Sequence, residues 1–310
     1  MKYEGFMNFL QAMFMGLVQA LTEYLPVSSS AHIRIIGDLM IGKDPGAAFT
    51  AIIQFGTELA VILYYRRDII RILGSWFGSL FGKEGKDLKS RLGAHNPNTQ
   101  MGWFIIIGTM PILICGILFK DVIETTLRNL WITVTVLIIF GILLWIFDSR
   151  SKQTKTMEQM TWKDALVFGI GQMLALIPGV SRSGGTITFG RAMGYTREAA
   201  VRVSFLMAIP AVFGAGILES VSAVKDINAC SAGEKAACTA MGAFPGWGAT
   251  IAATLVAFFV GYVVIIGFLK FVSTFSYKAF AIYRIGLAVV VAILLITGVL
   301  PAIDPSAVVG

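Results

Sequence analysis

Gly16-Leu-Val-Gln19-Ala-Leu-Thr-Glu23-Tyr-Leu-Pro26-Val-Ser28-Ser29-Ser30-Ala-His32 interrupts an otherwise apolar run from Phe6 to Ile41. Pro26 lacks an N–H and restricts the residue before it, so a helix arriving from Gly16 must stop there. The run therefore reads as helix, turn, helix rather than one continuous span. A second run, from Lys163 to about Arg197, is broken in the same way by Pro178, Ser181, Arg182, Gly184 and Gly185. Irregular backbone at membrane depth is tolerated only where protein buries it or where it lines a wet cavity. Both runs are expected to be re-entrant helix–loop–helix hairpins.

Working outward, six segments are long and apolar enough to cross a bilayer: roughly 46–65, 100–119, 130–147, 199–218, 246–270 and 279–301. Across the 310 residues, 56% are hydrophobic and 14% charged, with mean hydropathy +0.77. A soluble domain is about 25% charged. The expected fold is an all-α polytopic membrane protein, six transmembrane helices plus the two hairpins, in a single membrane-embedded domain over 1–310. The N-terminus lacks a clear cleavage site and is read as retained.

The net charge of +7 sits mainly between spans, where it sets topology and meets anionic lipid rather than nucleic acid. Residues 66–99 carry Arg66, Arg67, Arg71, Lys83, Lys86, Lys89 and Arg91; 148–163 carry Arg150, Lys152, Lys155 and Lys163; Lys270 and Lys278 flank the last turn. Six spans and two hairpins place these on one side, the cytoplasmic one. The poorer side has Lys2, Lys43, Lys120, Arg128, Lys225 and Lys235, both termini, and a loop whose Cys230 and Cys238 are suited to a disulfide if it is extracytoplasmic. Cys115, in an apolar run, reads as a small core residue.

The broken segments resemble each other at an offset of 153 residues. Gly16, Gln19 and Leu21 align with Gly169, Gln172 and Leu174, and Val27, Ser28 and Ser30 with Val180, Ser181 and Ser183. Each hairpin is followed by three spans, giving repeat 1 at about 5–147 and repeat 2 at about 163–301. Three is odd, so the second copy is expected to be inverted and the tips to meet near the midplane.

The tips carry the chemistry. Gln19 and Glu23 share one helix face at i, i+4, and Ser28, Ser29 and His32 follow within ten residues. Each is costly in a membrane unless partnered. The second tip, Pro178-Gly-Val-Ser181-Arg182-Ser183-Gly184-Gly185-Thr186, brings a guanidinium fork suited to phosphate oxygens, with Ser181, Ser183 and Thr186 as hydroxyl donors. A helix beginning at Thr186 would add free N–H groups. Secondary candidates are Gln54 and Glu58, spaced i, i+4 inside a span, and Tyr283 and Arg284 in the last one. Arg66, Arg67, Arg191, Arg197 and Arg202 read as interface or headgroup residues, and Tyr24 as packing.

At these motifs the sequence resembles the undecaprenyl-diphosphate phosphatase family, also called the bacitracin-resistance or BacA/UppP family. The stretches carrying the resemblance are Gln19 to His32, Phe49 to Gly56, Pro178 to Thr186, Ser204 to Pro210 and Phe280 to Arg284. It implies hydrolysis of undecaprenyl diphosphate to the monophosphate carrier lipid for cell-wall synthesis, in the bacterial plasma membrane, with a divalent cation, Mg²⁺ or Ca²⁺, as cofactor. Glu23, Ser29, His32 and Arg182 are then expected to be catalytic, and Gln19, Ser28, Ser181, Ser183 and Thr186 to bind substrate. Ser29 with His32 as base, or His32 attacking directly, would deliver the nucleophile, with Glu23 orienting His32 or holding the cation. Gln19 stands where Glu is commoner in the family, and Glu58 where relatives are often apolar. The site is expected to open extracytoplasmically. Membrane lipids are the other expected partners, and homodimerisation stays open. The competing function is a polyprenyl-phosphate flippase or an ion-coupled transporter built on the same repeat.

Overall fold

The computed structural model describes residues 7–124, 126–231, 233 and 243–303. Among them, ten helices have eleven residues or more: α1 (Phe9–Glu23), α2 (Ser29–Ile41), α3 (Ala47–Leu80), α4 (Pro97–Leu118), α5 (Leu130–Arg150), α6 (Trp162–Met173), α7 (Arg182–Ala192), α8 (Arg197–Ser231), α9 (Trp247–Thr274) and α10 (Lys278–Ile296). The described residues contain no β-strand. Six helices, α3, α4, α5, α8, α9 and α10, are long and apolar enough to cross a membrane. Their outward faces carry large apolar side chains such as Ile106, Ile139, Phe259, Val263 and Ile293, as expected where lipid replaces water.

The two broken runs fold as paired short helices. At 1.5 Å per residue, α1 is about 22 Å long and α2 and α7 shorter, less than the ~30 Å of a bilayer's hydrocarbon core. Local chemistry fixes where each restarts. Ser28 caps α2 by accepting from Ala31 N, and Ser181 caps α7 by accepting from Gly184 N. Both serines have positive φ, 72° and 70°, a region that side-chain-bearing residues seldom occupy and that clusters at functional sites.

Element order repeats between the halves, and so do the main packing pairs. Helix α1 packs on α9 and α6 on α4; α3 packs on α8 and α5 on α10. Exchanging the halves leaves these pairings unchanged. Matched glycines allow close approach in both halves. A Cβ on Gly16 would collide with the carbonyl oxygen of Ala253, and one on Gly169 would lie 2.5 Å from that of Gly108.

Several expected boundaries and roles change. Helix α3 runs to Leu80 instead of stopping near 65, so Arg66, Arg67 and Arg71 ride on a helix rather than in a loop. Helix α8 likewise outruns residue 218, while α10 stops at Ile296 and a turn through Gly298 follows. Arg191 is not a headgroup residue. It is fully buried, pairs with Asp148 at 2.8 Å and donates to Tyr195 O. Arg197 also pairs with Asp148, at 2.9 Å, and Arg202 with Asp68 at 2.7 Å. Asp148 further accepts from Tyr277 N, so one carboxylate gathers α5, α7, α8 and the α9–α10 turn. Cys115 is half-buried against Met173. The Cys230–Cys238 pairing lies outside the described residues.

Removing one partner of a buried ion pair leaves the other charge uncompensated, at about 3–5 kcal/mol. Asp148→Ala is expected to lower the thermal unfolding midpoint in detergent sharply. Arg150→Ala, exposed two residues on, is expected to change it little.

Candidate active site

The two turns meet at one guanidinium. Arg182 is the first residue of α7, and Glu23 is the last of α1. Arg182 Nη2 donates to Glu23 Oε1 at 2.6 Å and to Glu58 Oε1, from α3, at 2.8 Å. The side chains are 12%, 4% and 0% exposed respectively. Glu23 Oε2 accepts from Gln19 Nε2 at 2.8 Å and from Ser29 Oγ at 2.7 Å. Ser183 Oγ crosses between the turns, donating to Leu25 O at 3.1 Å and Glu23 O at 3.3 Å.

Arg284 of α10 joins the turns a second time. Nη1 donates to Pro26 O at 3.2 Å, and Nη2 donates to Gly179 O at 2.7 Å and Val180 O at 3.0 Å. It is fully buried. A Cβ on Gly184 would come within 2.7 Å of Nη1, so glycine there makes room for the guanidinium. Sequence reasoning gave Arg284 only a secondary place. Its carbonyl partners lie more than 100 residues away, and backbone acceptors leave no side-chain signal.

His32 stands apart from Ser29. Its Nδ1 lies 2.7 Å from Ser28 O and its Nε2 2.6 Å from Tyr283 Oη, with the two rings stacked. A carbonyl only accepts, so Nδ1 carries the proton, and in the neutral ring Nε2 accepts from Tyr283 O–H. The expected Ser29–His32 couple is thus replaced by Ser29 donating to Glu23, and Glu23 orients Ser29 rather than His32.

Thr186 lies in the second turn of α7 rather than at its start. Its hydroxyl donates to Arg182 O and meets Ser204 Oγ at 2.5 Å, so it supports the turn from behind. Ser28 and Ser181 spend their hydroxyls on the caps and on neighbours: Ser28 contacts Ser30, and Ser181 contacts Ser183, both at 3.2 Å. Gln54, one turn before Glu58, accepts at its carbonyl from Thr57 Oγ1. Tyr24 is a packing residue whose hydroxyl donates to Thr57 O at 2.6 Å.

Four buried polar atoms where the turns meet have no hydrogen-bond partner: the donors Arg182 Nη1 and Arg284 Nε and the acceptors Glu58 Oε2 and Gln19 Oε1. Buried polar atoms are ordinarily satisfied. Spare donors beside spare oxygens suit a ligand with both anionic and cationic parts. Among the described residues no cluster of three or more His, Cys, Asp or Glu could hold a metal by itself. Ser29 is partly exposed and Tyr283 is 48% exposed. An apolar cavity of about 590 Å³ starts one turn beyond Glu58, at Ile62, and runs between α3, α4 and α8 past Ile105, Leu206 and Phe213 to Trp76.

A family model described as bacitracin resistance protein BacA matches residues 12–290. A protein named undecaprenyl-diphosphatase from Bifidobacterium adolescentis is 84% identical over 294 residues, covering 95% of this chain and 97% of its own. One of the same name from Bifidobacterium animalis subsp. lactis is 72% identical, over 96% of this chain and 97% of its own. Another, from Paenarthrobacter aurescens, is 50% identical, over 93% and 98%.

Arg284→Ala would leave three buried carbonyls unpaired, each worth about 1–3 kcal/mol. It is expected to lower the thermal midpoint in detergent. Tyr283→Phe, which strands one buried acceptor, His32 Nε2, rather than three, is expected to lower it less.

Proposed function

The chain belongs to the bacitracin resistance protein BacA family, and from that premise we propose that it is an enzyme hydrolysing undecaprenyl diphosphate to undecaprenyl phosphate and inorganic phosphate. This recycles the carrier lipid of cell-wall synthesis and confers bacitracin resistance. The observation that carries the reading is Arg182 Nη1: a buried, charge-bearing donor left unpartnered where the two turns meet. A phosphate oxygen is the natural acceptor for it.

Arg182 holds the terminal phosphate and stabilises charge on the transferring phosphoryl group. Ser29 attacks the terminal phosphorus. Its proton passes to Glu23 Oε2, the oxygen to which it already donates. The bridging P–O bond breaks, the prenyl monophosphate leaves, and water then cleaves the phosphoserine to free phosphate. Attack by His32 instead would require Tyr283 to give up Nε2. Ser28, Ser181, Ser183 and Thr186 shape the two turns that present these groups. The first isoprene units lie along the apolar cavity beyond Glu58.

A divalent cation, Mg²⁺ or Ca²⁺, belongs to this reading. Hard cations take oxygen ligands, and Mg²⁺ commonly uses one or two carboxylates together with substrate phosphates. The junction offers two acceptors without donors, on Glu58 and Gln19, so its residues fit such an ion; Glu23, whose oxygens already accept from Arg182, Gln19 and Ser29, would hold it only by giving up one of those bonds. When bound, it would neutralise phosphate charge. Both hairpins are re-entrant in this reading and the second half is inverted. The protein lies in the bacterial plasma membrane, with the site open to the extracytoplasmic side. Homodimerisation is compatible with it.

Phosphate release from a long-chain prenyl diphosphate by purified protein is the test. Arg182→Ala and Ser29→Ala are each expected to lower kcat/KM by about 100-fold or more. Near-parental turnover in Arg182→Ala would overturn the clamp, and in Ser29→Ala it would transfer the attack to His32 or water.

A further inference from the structure

Glu58 needs an explanation that packing does not supply. A carboxylate with no exposed surface is costly inside a helical bundle. Arg182 compensates one of its oxygens, at 2.8 Å, but the same Nη2 already serves Glu23 at 2.6 Å. Two carboxylates thus share one donor atom, and Glu58 Oε2 is left over.

Gln19 reaches the same cluster through the second oxygen of Glu23 and is also fully buried. Its amide nitrogen is fixed on Glu23 Oε2, which leaves Oε1 without a donor. Glu23 itself is saturated, with Arg182 on one oxygen and Gln19 and Ser29 on the other. The spare acceptors of the site therefore lie on Glu58 and Gln19, from α3 and α1, not on Glu23. Only one of them bears a charge.

We propose that Glu58 is the principal acidic ligand of a divalent-cation subsite, with Gln19 Oε1 as its neutral partner, and that the cation bridges Glu58 to the phosphate held by Arg182. The proposal rests on the phosphatase reading above and deepens it. It assigns the essential charge to a residue of a spanning helix instead of the hairpin motif. Because Gln19 bonds Glu23 and Glu58 bonds Arg182 within one cluster, a carboxylate at either position should serve the cation. Gln19→Glu ought to replace a lost Glu58.

The test is the thermal midpoint of the purified full-length protein in detergent, followed against MgCl₂ or CaCl₂ at constant ionic strength. In the parent, the midpoint is expected to rise saturably with the cation. Glu58→Gln should raise the half-saturating concentration by at least about 10-fold, and Gln19→Glu combined with Glu58→Gln should bring it back to within a few-fold. Should Glu58→Gln not fold, Glu58→Asp keeps the charge and is expected to raise it by several-fold. No cation-dependent shift in the parent, or a titration unchanged in Glu58→Gln or, in its stead, in Glu58→Asp, would overturn the proposal. Phosphate release in the same preparations separates the failures. Hydrolysis with a cation response indifferent to Glu58 defeats this subsite alone, and absence of hydrolysis in the parent defeats the phosphatase reading.

Discussion

A guanidinium and two carboxylates, all withdrawn from solvent, hold the two interhelix turns at a single point. Arg182, Glu23 and Glu58 come from three helices that the chain order separates widely. In a low-dielectric interior such a cluster contributes little net stability, because desolvation offsets much of the Coulomb gain. It does fix position. Each charge is affordable only where the others are, so the turns have one arrangement that avoids a stranded ion. Arg284 adds a second tie through three carbonyls, and Gly184 leaves the space it needs.

The rest of the fold serves this junction. Short helices α1, α2, α6 and α7 end where a polar turn is wanted, and the spanning helices surround those turns with protein rather than lipid. The equivalent positive-φ serines, Ser28 and Ser181, start α2 and α7 in the same way. The two turns therefore match in local backbone geometry as well as in sequence. The halves then diverge in chemistry: the first turn supplies Glu23, Ser29 and His32, the second the arginine. In the proposed reaction a diphosphate would meet groups for attack on one side and for charge neutralisation on the other.

Much of this was legible in the sequence, for identifiable reasons. Pro26, Pro178 and the serines mark broken helices within apolar runs, and the six spans declare themselves by length and hydropathy. The polar residues of the tips stand out because their surroundings make them costly. Other features left no local trace. Ser29 sits three residues from His32, yet the side chains point to different partners, because the cap at Ser28 turns His32 toward Tyr283. Arg191 looks like a headgroup residue until Asp148, 43 positions earlier, is seen to pair with it. The ends of α3 and α8 were misplaced because charged residues can continue a helix past the bilayer, so a hydropathy boundary is not a helix boundary.

The most direct measurement is an experimental structure of the protein with a non-hydrolysable prenyl methylene-diphosphonate bound. The expected result has the terminal phosphonate within hydrogen-bonding distance of Arg182 Nη1, its phosphorus facing Ser29, and the prenyl chain entering the cavity at Ile62. A diphosphonate held by Arg66, Arg67 or Arg71 of α3, with the Glu23–Arg182–Glu58 cluster still closed, would contradict it.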